Sequence, residues 1–139
     1  MEEVEKAYAA GLIDGEGTIG CYFNRSPNSY AIGYSFQIVV SVINTDIRML
    51  EWLHERFGGY VYQHNKESEK RKAAWKWDLH GKEVKGFLET IMPYLVIKCD
   101  QAKYAIMAAE TIGEKFVEVS DRNIIKRMVI TERLRELKK

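Results

Sequence analysis

Cysteine, proline and histidine are all scarce in this chain of 139 residues. Its two cysteines, Cys21 and Cys99, are widely separated and lack CxxC spacing, which excludes a disulfide scaffold and reads as two buried free thiols. The three histidines, His54, His64 and His80, show no zinc-ligand spacing with each other or with the cysteines. No apolar run reaches the ~18 residues of a membrane span. The acidic opening Met1-Glu2-Glu3 is unlike a signal peptide, so the expectation is a soluble, intracellular chain with no membrane partner. There is no P-loop, GxSxG or dinucleotide fingerprint, and no small-molecule substrate is expected. With two prolines, 46% apolar and 29% charged residues, the composition excludes disorder and fits one domain over residues 1–139.

Net charge also lacks a strong sign, at +1. Its distribution is uneven, because Glu2, Glu3, Glu5, Asp14 and Glu16 precede Gly20 against the single base Lys6, which leaves the rest of the chain basic. Such a surplus permits a polyanion partner without requiring one.

Periodicity gives the elements. Helical spacing runs from Val4 to Gly15, with Val4, Tyr8 and Leu12 on one stripe and Ala7, Gly11 and Gly15 on another. Residues 18–25 alternate, and so do residues from about Tyr34 to Ile43; the turn-rich stretch Arg25 to Gly33 joins them into a hairpin. Asn44 or Thr45 can cap a helix carrying Ile47, Leu50, Leu53 and Phe57, which Gly58-Gly59 stops. A second hairpin combines Tyr60 to Asn65 with the alternation of Trp75, Trp77 and Leu79 across the charged loop Lys66 to Lys72. Helical spacing returns from Lys82 to Met92, ended by Pro93, and again at about Gln101 to Thr111 and Asp121 to Leu137, the last capped by Ser120 or Asp121. The expected fold is therefore α/β, with the order αββαββα, a four-stranded antiparallel sheet and C-terminal helices.

The segment Tyr8-Ala-Ala-Gly-Leu-Ile-Asp-Gly-Glu-Gly-Thr18 departs from an ordinary surface helix. Gly11 and Gly15 cost ~1 kcal/mol each relative to alanine inside a helix, yet with Ala7 they make a smooth strip that admits a second helix backbone. Asp14 and Glu16 sit at a helix C-terminus, where the dipole disfavours anions. A bound cation reverses that sign, and carboxylate and carbonyl oxygens converging there are the hard ligands Mg²⁺ takes. Solvated acids and a helix packed on a sheet remain the alternative reading of these residues.

The stretch Ala9 to Gly17 resembles the nine-residue signature of the LAGLIDADG homing endonucleases, with identity at Ala10, Gly11, Leu12, Ile13, Asp14 and Gly17 and departures at Ala9, Gly15 and Glu16. The order of elements is the family's as well. One copy of the signature implies a homodimer packed through Ala7, Gly11, Asp14 and Gly15, with Asp14 hydrogen-bonding at the helix junction. By the same resemblance Glu16 and the Gly15 carbonyl bind Mg²⁺ or another divalent cation, Lys98 in Pro93-Tyr-Leu-Val-Ile-Lys98 is the basic catalytic group, and Asn44 orients water. The implied activity is metal-dependent hydrolysis of both strands of a long pseudo-palindromic double-stranded DNA site, leaving short 3′ overhangs. A non-cleaving binder such as an intron maturase is the alternative. The DNA-reading face of the sheet then carries Tyr22, Asn24, Ser26, Ser35, Gln37, Ser41, Tyr62, His64, Lys66, Lys72 and Lys76. Lys66, Lys70, Arg71, Lys72, Lys126 and Arg127 are the phosphate-contact candidates.

Overall fold

A computed structural model describes residues 1–25, 34–112 and 121–138. The elements run α1 (Glu3–Glu16), β1 (Gly17–Arg25), β2 (Tyr34–Asn44), α2 (Ile47–Phe57), β3 (Tyr60–Asn65), β4 (Ala74–His80), α3 (Lys82–Ile91), a 3₁₀ turn (Met92–Tyr94), α4 (Cys99–Ala109) and α5 (Asp121–Leu137). This is the α/β arrangement anticipated, with both hairpins antiparallel. The hairpins join through their second strands, β2 against β4, giving the order β1-β2-β4-β3 in one antiparallel sheet.

One sheet face is apolar because alternate residues on each strand are apolar. Ile19, Val40 and Leu79 form one row across it, and Val42 and Trp77 lie in the next. The helices cover these rows with Leu50 and Leu53 of α2, Val84, Phe87 and Leu88 of α3, Ala105 of α4 and Ile130 of α5. Aromatic edges fill the space between them, with Phe57 meeting Phe87 at 4.7 Å and Trp77 meeting Phe87 at 5.4 Å between ring centroids. Trp77 leaves no unpaired donor behind, since its indole N–H donates to the Gly58 carbonyl at 2.8 Å.

Several local details differ from the sequence reading, each for a physical reason. Helix α1 buries Ala9, Ala10 and Ile13; of the stripe Val4, Tyr8 and Leu12 only Leu12 is partly buried, and the strip Ala7, Gly11 and Gly15 faces away from the core. Asp46, not Asn44 or Thr45, caps α2 by accepting from the Arg48 amide at 3.0 Å, while Asn44 Oδ1 accepts from the Asp46 amide in the turn before it. The 3₁₀ turn holding Pro93 takes up Met92, and α4 starts at Cys99, two residues earlier than its apolar pattern suggests. Cys21 is buried, whereas Cys99 is only partly so, and both are free thiols. Ser120, one of the two proposed caps of α5, lies outside the described residues. Among the described residues no helix is long and apolar enough to cross a membrane.

Candidate functional site

The junction of α1 and β1 is built by close approach. Gly17 follows α1 directly, and a Cβ there would lie 2.7 Å from the Ile13 Cα, so only glycine lets the chain turn from helix into strand at this point. Asp14, two residues before the end of α1, accepts from three successive backbone amides: Val96 at 2.8 Å, Ile97 at 3.2 Å and Lys98 at 3.0 Å. The carboxylate thereby satisfies amides that lead into α4 and fixes the Lys98 backbone beside the helix end. This is the structural role expected of Asp14, made within its own chain.

Lys98 turns its side chain back into the same corner. Its Nζ donates to the Ile13 carbonyl at 2.8 Å and to the Gly17 carbonyl. Burial pushes its ammonium pKa down, and the negative charges of Asp14 and Glu16 oppose that shift. An ammonium has three N–H donors; two are committed here, and one remains. Glu16, the last residue of α1, is exposed and has no hydrogen bond or ion pair among the described residues. Glu16 and Lys98 therefore share one corner, the carboxylate near enough for its charge to act on the ammonium without pairing with it.

An open cleft of about 310 Å³ runs beside this corner, lined by Gly17, Thr18, Lys98, Gln101, Leu137 and Lys138. Burial also lowers the Lys138 pKa, and the positive charge of Lys98 acts in the same direction. Gln101 and Lys138 did not stand out in the sequence. Gln101 has a weak signal, lying about one turn after Lys98, but nothing local marks Lys138, because α5 brings it to β1 from far along the chain.

Among the described residues no group of three or more His, Cys, Asp or Glu converges on one point. What the corner offers is one free carboxylate and the carbonyl-rich end of a helix, all hard oxygens. Mg²⁺ characteristically takes one or two carboxylates and completes its shell with water and substrate phosphate. A carboxylate beside a helix C-terminus is a donor set of the hard-oxygen kind that suits such an ion.

The sheet face away from the helices carries the side chains expected to read DNA. Register places Tyr22 beside Gln37, Ser41 between Thr18 and Asp78, and Lys76 between Ile43 and Tyr62. Tyr22, Gln37, Tyr62, His64, Lys66 and Lys72 are exposed, and Ser35 and Lys76 are partly so. Ser41 shares this face but is only 9% exposed in the middle of the sheet. A β-bulge between Gln63 and Asn65 sets Asn65 opposite Ala74, so the simple alternation from Tyr62 through His64 to Lys66 breaks there. Ser26 and the side chain of Asn24 lie outside the described residues. Asn44 has the register of the helix-covered face, opposite Trp75, and its oxygen is occupied by the Asp46 amide.

A family model described as LAGLIDADG endonuclease matches residues 9–105, the span from the middle of α1 into α4. The chain belongs to the LAGLIDADG endonuclease family. Comparison with curated proteins gives no match. Among solved structures, the homing endonuclease I-CvuI in complex with its target in the presence of calcium superposes with a TM-score of 0.80 at 18% identity, covering 96% of this chain and 82% of that one. The archaeal intron-encoded homing endonuclease I-Vdi141I, complexed with DNA, gives 0.79 at 16% identity, covering 100% and 87%. The LAGLIDADG homing endonuclease I-SmaMI, bound to cleaved DNA, gives 0.74 at 14% identity, and there this chain covers 96% of itself but 45% of the other. At these identities the likeness is one of fold, and a chain matching under half of I-SmaMI has the size of a single-motif LAGLIDADG protein.

Within the LAGLIDADG frame one phosphate-contact expectation needs correction. Arg127 is buried, not displayed: its Nε donates to Thr111 Oγ1 and its Nη2 to the Thr111 carbonyl, both at 2.8 Å. Its guanidinium also lies 4.8 Å from the centre of the Phe36 ring. This arginine fastens α5 to the end of α4 and to β2. Lys66, Lys70, Arg71 and Lys72 are exposed in the β3–β4 loop, where Ser68 and Arg71 pair through their backbones, and Lys126 is half-buried on α5.

Proposed function

We propose that this LAGLIDADG chain works as a homodimer that cleaves both strands of a long, pseudo-palindromic DNA site by metal-dependent phosphodiester hydrolysis, leaving short 3′ overhangs. The observation that carries the reading is the corner where the unpartnered Glu16 carboxylate stands beside Lys98, itself tied to the Ile13 and Gly17 carbonyls.

Two such chains meet along the exposed strip Ala7, Gly11 and Gly15, where one chain leaves room for another: a Cβ built on Gly11 or Gly15 meets nothing within 4 Å. Two-fold symmetry of the protein then calls for a near-palindromic site. Glu16 and the Gly15 carbonyl hold Mg²⁺ or another divalent cation. When bound, that ion supplies Lewis-acid stabilisation of charge on the phosphate and lowers the pKa of water. The third N–H of Lys98 donates to a phosphate oxygen as negative charge develops. Lys138 and Gln101, lining the same cleft, hold the neighbouring backbone. The open sheet face rests in the major groove, and the basic β3–β4 loop meets flanking phosphates.

The test is Glu16→Gln, which removes a charged metal ligand and leaves the sheet intact. Cleavage of a DNA site selected from a randomised library should be lost while binding stays within about threefold, since base and phosphate contacts lie elsewhere. Equal cutting by the variant removes Glu16 from the reaction. Wild-type chain that binds a selected site and never cuts it with Mg²⁺ present is instead a non-cleaving binder of the maturase kind.

A further inference from the structure

Asp78 occupies the middle of the open sheet face yet is only 6% exposed. Register sets it between Ser41 on β2 and Tyr60 on β3. Three side chains close over it. The Tyr62 hydroxyl donates to Oδ2 at 2.5 Å, His80 Nε2 stands 3.6 Å from Oδ2, and Lys76 Nζ stands 3.8 Å from Oδ1. Oδ1 is itself buried without a hydrogen bond. A buried carboxylate left partly unsatisfied is a poor stabilising device, because desolvating the charge offsets most of what its partners return. Its effect on the three groups around it is more definite: each is drawn toward one fixed point beneath the face it presents.

We propose that Asp78 is a positioning residue for base recognition, fixing Tyr62, Lys76 and His80 in the orientation that reads the DNA. This rests on the sheet being the DNA surface. The chemistry follows from which groups are already committed. The Tyr62 proton is given to Asp78, so toward DNA its oxygen accepts, which suits the amino group of adenine or cytosine. Lys76 keeps N–H donors free for the O6 and N7 of guanine. A carboxylate only accepts, so it favours the His80 tautomer with its proton on Nε2 and leaves Nδ1 as an acceptor when the ring is neutral. Asp78 itself is covered by the three and reads no base.

The experiment measures binding of the full chain to a randomised DNA library without metal, followed by sequencing of the bound fraction, for wild type and Asp78→Asn. The amide still accepts from Tyr62 but removes the charge that holds Lys76 and His80. Preference at the base pairs beneath β3 and β4 should fall about tenfold, while preference beneath Tyr22 and Gln37 and the melting temperature hold to within about 3 °C. An unchanged profile, or a loss spread evenly over the site, overturns the role of Asp78. Should Asp78→Asn not fold, Lys76→Met carries the test, and no loss of a guanine preference in that variant overturns the proposal equally. A wild-type chain with no sequence preference is a different result, since it removes the DNA reading of the sheet beneath the proposal.

Discussion

The Lys98 ammonium donates to the Ile13 carbonyl across 2.8 Å, so this cation of the proposed active corner is also a brace between the C-terminal end of α1 and the start of α4. Removing it should therefore show in two readouts. Lys98→Met should lower stability by about 1–3 kcal/mol in urea denaturation, as two carbonyls lose a charged donor. Cleavage should fall by about 100-fold or more beyond what the lost folding explains. A variant that loses stability alone would mark Lys98 as purely structural.

Gly11→Leu separates folding from assembly. A Cβ at Gly11 meets nothing within its own chain, and leucine is the better helix former by about 0.8 kcal/mol, so the monomer should fold at least as well as wild type. The dimer should weaken at least tenfold because a side chain intrudes where two backbones are to meet. Sedimentation equilibrium over a dilution series reads this directly, and an unchanged association constant contradicts the proposed interface.

Cys21 predicts a pH window. Burial pushes its thiol pKa up to about 12 from 9.0, with the Lys138 charge acting weakly against it. Between those values the unfolded chain has released a proton that the folded chain retains, so stability is full below about pH 9 and declines as pH rises toward 12. Cys21→Ala should flatten that decline in denaturation measured from pH 8 to 11. In native protein a thiol reagent should label Cys99 first, since only Cys21 is buried.

Arg127 and Lys138 share one helical arm and should differ in salt dependence. Arg127→Met removes two hydrogen bonds to Thr111 and should cost about 1–3 kcal/mol of stability, leaving the slope of log affinity against log salt unchanged. Lys138→Gln should lower that slope by about 0.9 with little change in stability, as expected for one lost phosphate contact. The opposite assignment of slopes would exchange their roles.

What was legible in the sequence was what is local. The alternation through Ile19, Val40 and Trp77 and the helical spacing of Leu50 with Leu53 or Val84 with Phe87 fixed both hairpins and most helices, because burial on one face imposes those periods directly. The glycines and acids from Gly11 to Gly17 marked the corner through local costs that a plain helix has no reason to bear. Other features depend on distant partners. Asp46 took the cap from Asn44 through hydrogen-bond geometry that residue type alone leaves open. Arg127 looked like a phosphate contact because nothing beside it in sequence shows Thr111 and Phe36 around it. Asp78 and Lys138 were missed for the same reason, the first hidden by cross-strand register and the second brought in by packing of α5.

The amides that Asp14 gathers belong to residues more than eighty positions later, at Val96, Ile97 and Lys98. A nascent polypeptide therefore cannot assemble this corner while those positions are still inside the ribosome, even with its signature helix already formed. Under the proposed function the order of synthesis acts as a safety catch: the corner is complete only after both hairpins have emerged, and never from the opening segment by itself.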